Sequence, residues 1–250
     1  MTEYGHKYGK LPAQRPPMLG TIHQYVTGKL PTPPPSVNIP SPSGGPWGMD
    51  MNDKLGCCVV AGIDHLNAAW DAEVKESSAR PSDPQIAAEY YSLTGGPDSG
   101  LVESTTLARW AASPIFGTKI AGYAPIELHD LIGMQQAISF YGGVMFGIAL
   151  PQSAEQQYGE QQQTGRVVPW TVIPTSPLLG GHCVVGVGYR PEGVWCVTWG
   201  DIVLLSYPFL AKYADEAWCP LSQQVQQRGA GPTGIDFASL RMDMPRLEAA

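Results

Sequence analysis

The sequence predicts an α+β fold, with helices in its first half and antiparallel strands in its second. Three observations lead there. Apolar residues make up 43% of the 250, enough for a real core. Gly and Pro together number 53, about 21% against an average near 12%, so turns and loops abound and a helical bundle or coiled coil is excluded. Apolar residues recur at helical spacing up to about residue 141 and in short strand-like runs after it.

Taken in order, residues 1–46 read as a Pro-rich extended arm. Ten Pro lie between Pro12 and Pro46, and Pro, lacking an N–H and fixing φ, suits neither helix nor central strand. Residues 21–29 are the one expected helical or strand island, and Leu11, Met18, Leu19, Ile22, Tyr25 and Val26 are the anchors by which the arm would pack on the domain, clear of its functional cleft. The domain is expected over 47–222, its helical half about 47–142 and its sheet half about 143–222, with 223–250 a polar tail.

Helices are predicted over 57–72, over 83–93 with Asp83 as N-cap and Pro84 behind it, over 103–112 and over 128–141, ended by Gly142-Gly143. A strand is predicted over 118–126 and a buried one over 144–150. The Gln-rich segment 152–165 reads as a solvated loop. Three strands follow at 182–189, 194–199 and 202–206, then a helix over 207–218.

Composition narrows the function. Fifteen Lys and Arg against 22 Asp and Glu give a net charge of −7, with no basic run for nucleic acid. No segment approaches the roughly 20 apolar residues of a membrane span. The N-terminal segment lacks the charged-then-apolar pattern of a classical signal, so a cytoplasmic setting is expected. Five Cys, an odd number, do not form a disulfide framework. No C-x2-C pair and no His pair at zinc spacing occurs, and no metal or cofactor is expected.

Two segments carry chemistry. Asn52-Asp53-Lys54-Leu55-Gly56-Cys57-Cys58 leads polar and Gly residues into a helix whose first turn bears Cys. Unpaired N–H groups and the positive dipole end there favour thiolate over thiol; the bland alternative is a small Cys packed as a hydrophobe. Gly180-Gly181-His182 opens an otherwise apolar strand. His is the usual base for a Cys nucleophile, although a lone His is more often a satisfied core residue. His65, two helical turns from Cys58, is too distant to serve as base, and Cys183 and Cys196 read as core.

Together the segments resemble the papain-like cysteine peptidase superfamily: a Cys at a helix start, a distant Gly-Gly-His, then Val197-Thr198-Trp199-Gly200, with Cys58 and His182 separated by 124 residues. Trp47-Gly48, Asn52-Asp53-Lys54-Leu55-Gly56, Cys58, Gly180-Gly181-His182, Val197-Thr198-Trp199-Gly200 and Asp215-Glu216-Ala217 resemble, in order, motifs of papain-like proteins from tailed phages and bacterial genomes.

That resemblance implies a papain-like fold and acyl transfer. Cys58 is the nucleophile, because six residues before it stands Asn52, which can donate to an oxyanion, whereas Met51 stands six before Cys57 and cannot. His182 is the base. Val197 falls where papain has its Asn and cannot bond an imidazole; Thr198 is the substitute if the hairpin shifts by one residue, and Asp201 is a more distant one. The implied substrate is a peptide, protein or related amide. The competing reading is a weak or inactive virion or assembly component whose partners are neighbouring subunits, in host cytoplasm or virion. The arm is then domain-packed, a propeptide crossing the cleft, or a reach to a neighbour.

Overall fold

The computed structural model describes residues 5–74, 79–223 and 234–245. The order of elements follows from where apolar residues can be buried. Helix α1 (Cys58–Val74) is buried on nearly every face, as its run of Val, Ala, Ile and Leu requires. Helix α2 (Asp83–Thr94) opens with a capping box in which Ser82 and Gln85 satisfy each other's ends. The N-cap is therefore Ser82 rather than Asp83, and Pro84 sits one position deeper. Helix α3 (Glu103–Ala112) follows, then strand β1 (Ile120–Pro125), helix α4 (Leu131–Tyr141) and strand β2 (Val144–Pro151).

Segment 152–165 is not a loop. It forms helix α5 (Gln152–Thr164), with Ala154, Tyr158 and Gln161 buried at helical spacing. Gln is a good helix former, and three or four inward residues suffice when the sheet supplies the other side.

Strands β3 (Leu178–Arg190), β4 (Gly193–Thr198) and β5 (Asp201–Ser206) form a meander. The helix predicted over 207–218 stops early. Helix α6 (Tyr207–Tyr213), capped by Ser206, gives way to strand β6 (Ala214–Ser222). Trp218 there faces Met145 on β2 and Pro125 on β1, so sheet pairing overrides the local helical pattern. The six-stranded sheet runs β1-β6-β2-β3-β4-β5, antiparallel throughout. Part of the expected polar tail is helix α7 (Phe237–Asp243), whose buried Leu240 packs on Gly122 of β1. Residues 224–233 and 246–250 of that tail lie outside the described residues.

The arm is woven into this body. Its island is a 3-10 turn (Ile22–Tyr25) with both ends buried, and Val26 bridges Ile235. Leu19, Ile22 and Tyr25 are the anchors, while Leu11 and Met18 remain exposed. Among the described residues no helix is long and apolar enough to cross a membrane.

Candidate active site

Cys58 is the first residue of α1, reached through Asp50 and Met51 in left-handed conformation (φ 51° and 63°). That tight turn aims the chain into the helix and carries Asn52 beside it. The turn is pinned from behind: His65 Nε2 lies 2.8 Å from the Gly48 carbonyl and 3.0 Å from Asp50 Oδ2, and Arg80 joins Asp64 and Asp50. His65 thus belongs to the scaffold of the turn.

The two adjacent thiols point apart, as a helical step of about 100° requires. Cys57, fully buried, donates to the Asp50 carbonyl at 3.2 Å. Cys58 has the N–H groups of Gly9, Cys183 and Val59 directed at its sulfur. Since Cys183 follows His182 in sequence, the start of α1 and the start of the His-bearing stretch of β3 meet here.

His182 is fully buried, and its Nε2 lies 2.7 Å from Thr198 Oγ1. The strand register explains the pair. Val185 opposes Val197, and a bulge between Gly186 and Gly188 shifts the hairpin by one residue. Val197 is thereby turned into the core, and Thr198 shares a face with His182 and Val184. Asp201 takes other partners, the amides of Gln161 and Gln162. Nδ1 of His182 is buried with no hydrogen-bond partner.

Trp199, in left-handed conformation (φ 49°), stacks on the His182 ring at 4.7 Å and covers the bond to Thr198. The Tyr158 hydroxyl of α5 holds the Trp199 carbonyl. Trp199 carries no role in the sequence reading, although it stands inside the Val-Thr-Trp-Gly motif.

The arm crosses this site rather than packing clear of it. His6 stacks on Trp199 at 4.1 Å, and the Tyr8 ring meets His182 edge-on. Asn52 Nδ2 donates to the Lys7 carbonyl at 3.1 Å, and the Lys7 N–H donates to the Asn52 carbonyl at 3.0 Å. On the same side Leu101 N–H donates to the Gly9 carbonyl at 2.8 Å, while on the opposite side Lys10 N–H donates to the Gly181 carbonyl at 3.0 Å. Residues 7–11 therefore pair with both walls of a groove as an extended peptide would. Gly9 is required at its centre: a Cβ there would lie 1.7 Å from the Gly56 carbonyl oxygen.

This closed state sets the electrostatics. Burial pushes the Cys58 thiol up to about 11, beyond what the surrounding N–H groups recover. Burial takes His182 down to about 3. Thiol and imidazole are both neutral, so the thiolate expected from the helix terminus does not form while the arm is in place. Among the described residues no group of three or more His, Cys, Asp or Glu is arranged to hold a metal.

No protein-family model matches the sequence, and no curated protein matches it. Solved structures do. Xylellain, a cysteine protease from Xylella fastidiosa, superposes with a TM-score of 0.59 at 16% identity, over 87% of this chain and 97% of its own. The fold is papain-like. The cysteine protease and lectin-like domains of Cwp84, a surface layer associated protein of Clostridium difficile, superpose at 0.55 and 14% identity, over 88% of this chain and 57% of that one. At these identities the likeness is one of fold. Within the papain-like fold, the site residues of this chain rest on its own geometry.

Proposed function

We propose that the chain is a papain-type cysteine hydrolase of peptide or related amide bonds, held shut by residues 6–11. The observation that carries this reading is the peptide in the groove. Gly9 presents its backbone to the Cys58 sulfur while the segment around it hydrogen-bonds Asn52 and Leu101 on one wall and Gly181 on the other. A surface that binds an extended backbone across a helix-borne thiol and a buried imidazole is suited to acyl transfer.

In the opened state Nδ1 of His182 takes the Cys58 proton, and the sulfur attacks the carbonyl carbon. The oxyanion takes hydrogen bonds from the Asn52 amide and the Cys58 N–H. The imidazolium then returns the proton to the leaving amine, and water, deprotonated by the same ring, releases the acyl group. Thr198 accepts Nε2–H and so fixes the tautomer that leaves the Nδ1 lone pair free.

The test is a Gly9→Ala chain, which cannot keep the arm seated, incubated with unfolded casein and with peptide and ester libraries. Cleavage that disappears on adding Cys58→Ala or His182→Ala is expected. A Gly9→Ala chain whose Cys58 is readily alkylated, yet which hydrolyses none of these, overturns the reading.

A further inference from the structure

The residue after Gly9 seats its side chain in a pocket that neither nucleophile nor base uses. The Lys10 side chain is 1% exposed, and its Nζ lies 2.5 Å from Asp215 Oδ2 and 3.0 Å from Glu216 Oε1. Glu216 is held in place by Trp218 Nε1, which donates to Oε2 at 2.8 Å. A third carboxyl comes from Glu103 in the first turn of α3. It is fully buried, its oxygens have no nitrogen or oxygen partner, and the Cys183 thiol is turned toward it.

The pocket floor is a row across three strands in which Gly147 opposes Cys183 on one side and Glu216 on the other. Gly147 interrupts an otherwise apolar central strand, where Gly normally weakens the sheet. Its reason is the lysine: a Cβ there would lie 2.4 Å from Lys10 Cε. Gly181 opens the other wall, since its Cβ would lie 2.1 Å from the Lys10 carbonyl oxygen. The space is shaped for an unbranched stem that ends in a cation.

Charge selects the occupant. Burial alone lowers the Lys10 pKa, yet Asp215, Glu216 and Glu103 outweigh it and the net shift is upward. Withdrawing that ammonium leaves buried carboxyl groups facing one another without a counter-ion, a costly arrangement. A replacement cation relieves it.

We propose that this pocket is a specificity site for a cationic side chain, taking the lysine or arginine of a peptide substrate next to the residue that faces Cys58, once Lys10 has withdrawn. The assignment rests on the hydrolase reading, and two measurements keep the two separable. In the first, Lys10→Ala is introduced in the full chain and its melting temperature is followed in millimolar n-butylammonium and in 1-butanol. A rise with the amine alone is expected, absent from the unaltered chain and lost on adding Glu216→Gln; Lys10→Met, which keeps the stem, controls for folding. In the second, the Gly9→Ala chain is given fluorogenic peptides carrying Lys, Arg, norleucine or Glu at each position flanking the scissile bond. Lys or Arg at one position should raise kcat/KM at least about tenfold over norleucine, and Asp215→Asn with Glu216→Gln should bring that ratio near one. Hydrolysis with no basic preference, or a preference that survives both substitutions, overturns the pocket alone. Amine rescue in an opened chain that hydrolyses nothing overturns the hydrolase reading and, with it, the pocket's assignment to substrate. Failure of the amine to stabilise Lys10→Ala, while Lys10→Met shows that the fold tolerates loss of the ammonium, overturns the cation site.

Discussion

The Thr198 hydroxyl lies 2.7 Å from Nε2 of His182, beneath the ring of Trp199. A neutral hydroxyl can orient an imidazole but cannot stabilise its protonated form as a carboxylate would. Thr198→Val should therefore lower kcat of an opened chain by about tenfold to a hundredfold, the worth of one buried hydrogen bond, with KM little changed. Thr198→Ser should restore most of it. Equal activity of Val and Ser variants would show that the ring is held by packing alone.

The occluded thiol gives a second prediction. With its pKa pushed up to about 11, about one Cys58 in ten thousand is thiolate at pH 7. Iodoacetamide labelling of the full chain should be slow at pH 7 and rise about tenfold per pH unit toward 10. In Gly9→Ala the sulfur regains water, and labelling at pH 7 should be at least about a hundred times faster. Mass mapping of the labelled cysteine after a short exposure distinguishes the two. A full chain that labels at Cys58 as fast as the Gly9→Ala chain would mean that the arm does not cover the sulfur.

How much of this was readable beforehand depends on how local each signal is. Cys58 and His182 stand out because a Gly-rich lead into a helix and a Gly-Gly-His at a strand start are short patterns. Thr198 needed one further step, the hairpin bulge between Gly186 and Gly188 on the partner strand. Lys10, Glu103 and Glu216 come from three distant parts of the chain, the arm, helix α3 and strand β6, and meet only in the folded structure. No spacing announces them. Helix α5 was hidden by polarity, since Gln serves a solvated loop and a half-exposed helix equally well. Strand β6 was hidden by a different ambiguity: the short segment 214–218, apolar and acidic residues mixed, fits the end of a helix as well as a strand, and pairing with β1 and β2 decides it.

The neighbouring thiols should separate cleanly. Cys57 is buried and donates to Asp50, so it supports the turn that carries Asn52. Cys57→Ala should cost about 1–2 kcal/mol of stability, measured by urea unfolding, and leave the labelling rate of Cys58 within twofold or so. Cys58→Ala should abolish hydrolysis in the opened chain while leaving the fold intact. Loss of hydrolysis from Cys57→Ala in a fully folded chain would exchange their roles.

Acid should act through His182. Its pKa is taken down to about 3 by burial, with His6 and His65 nearby adding to the shift, so the folded chain leaves the ring neutral where the unfolded chain protonates it. Between about pH 6.5 and 3 the unfolded state binds the extra proton, and the sign of the linkage makes stability fall as pH falls. At about 1.4 kcal/mol per unit, lowering the pH from 6.5 to 5 should cost about 2 kcal/mol. Other groups titrate in the same range: Asp50 and Asp98, held low, add to the loss, whereas Glu103, Glu216 and Asp64, pushed up, oppose it. The contribution of the ring is isolated by comparison with His182→Gln, which keeps a donor for Thr198 and cannot titrate. Urea unfolding of the two proteins from pH 7 to 5 should give curves that diverge toward acid, the unaltered chain losing about 2 kcal/mol more. Parallel curves would mean that the ring is protonated in the folded state, and that the closed site is open to water on the His182 side.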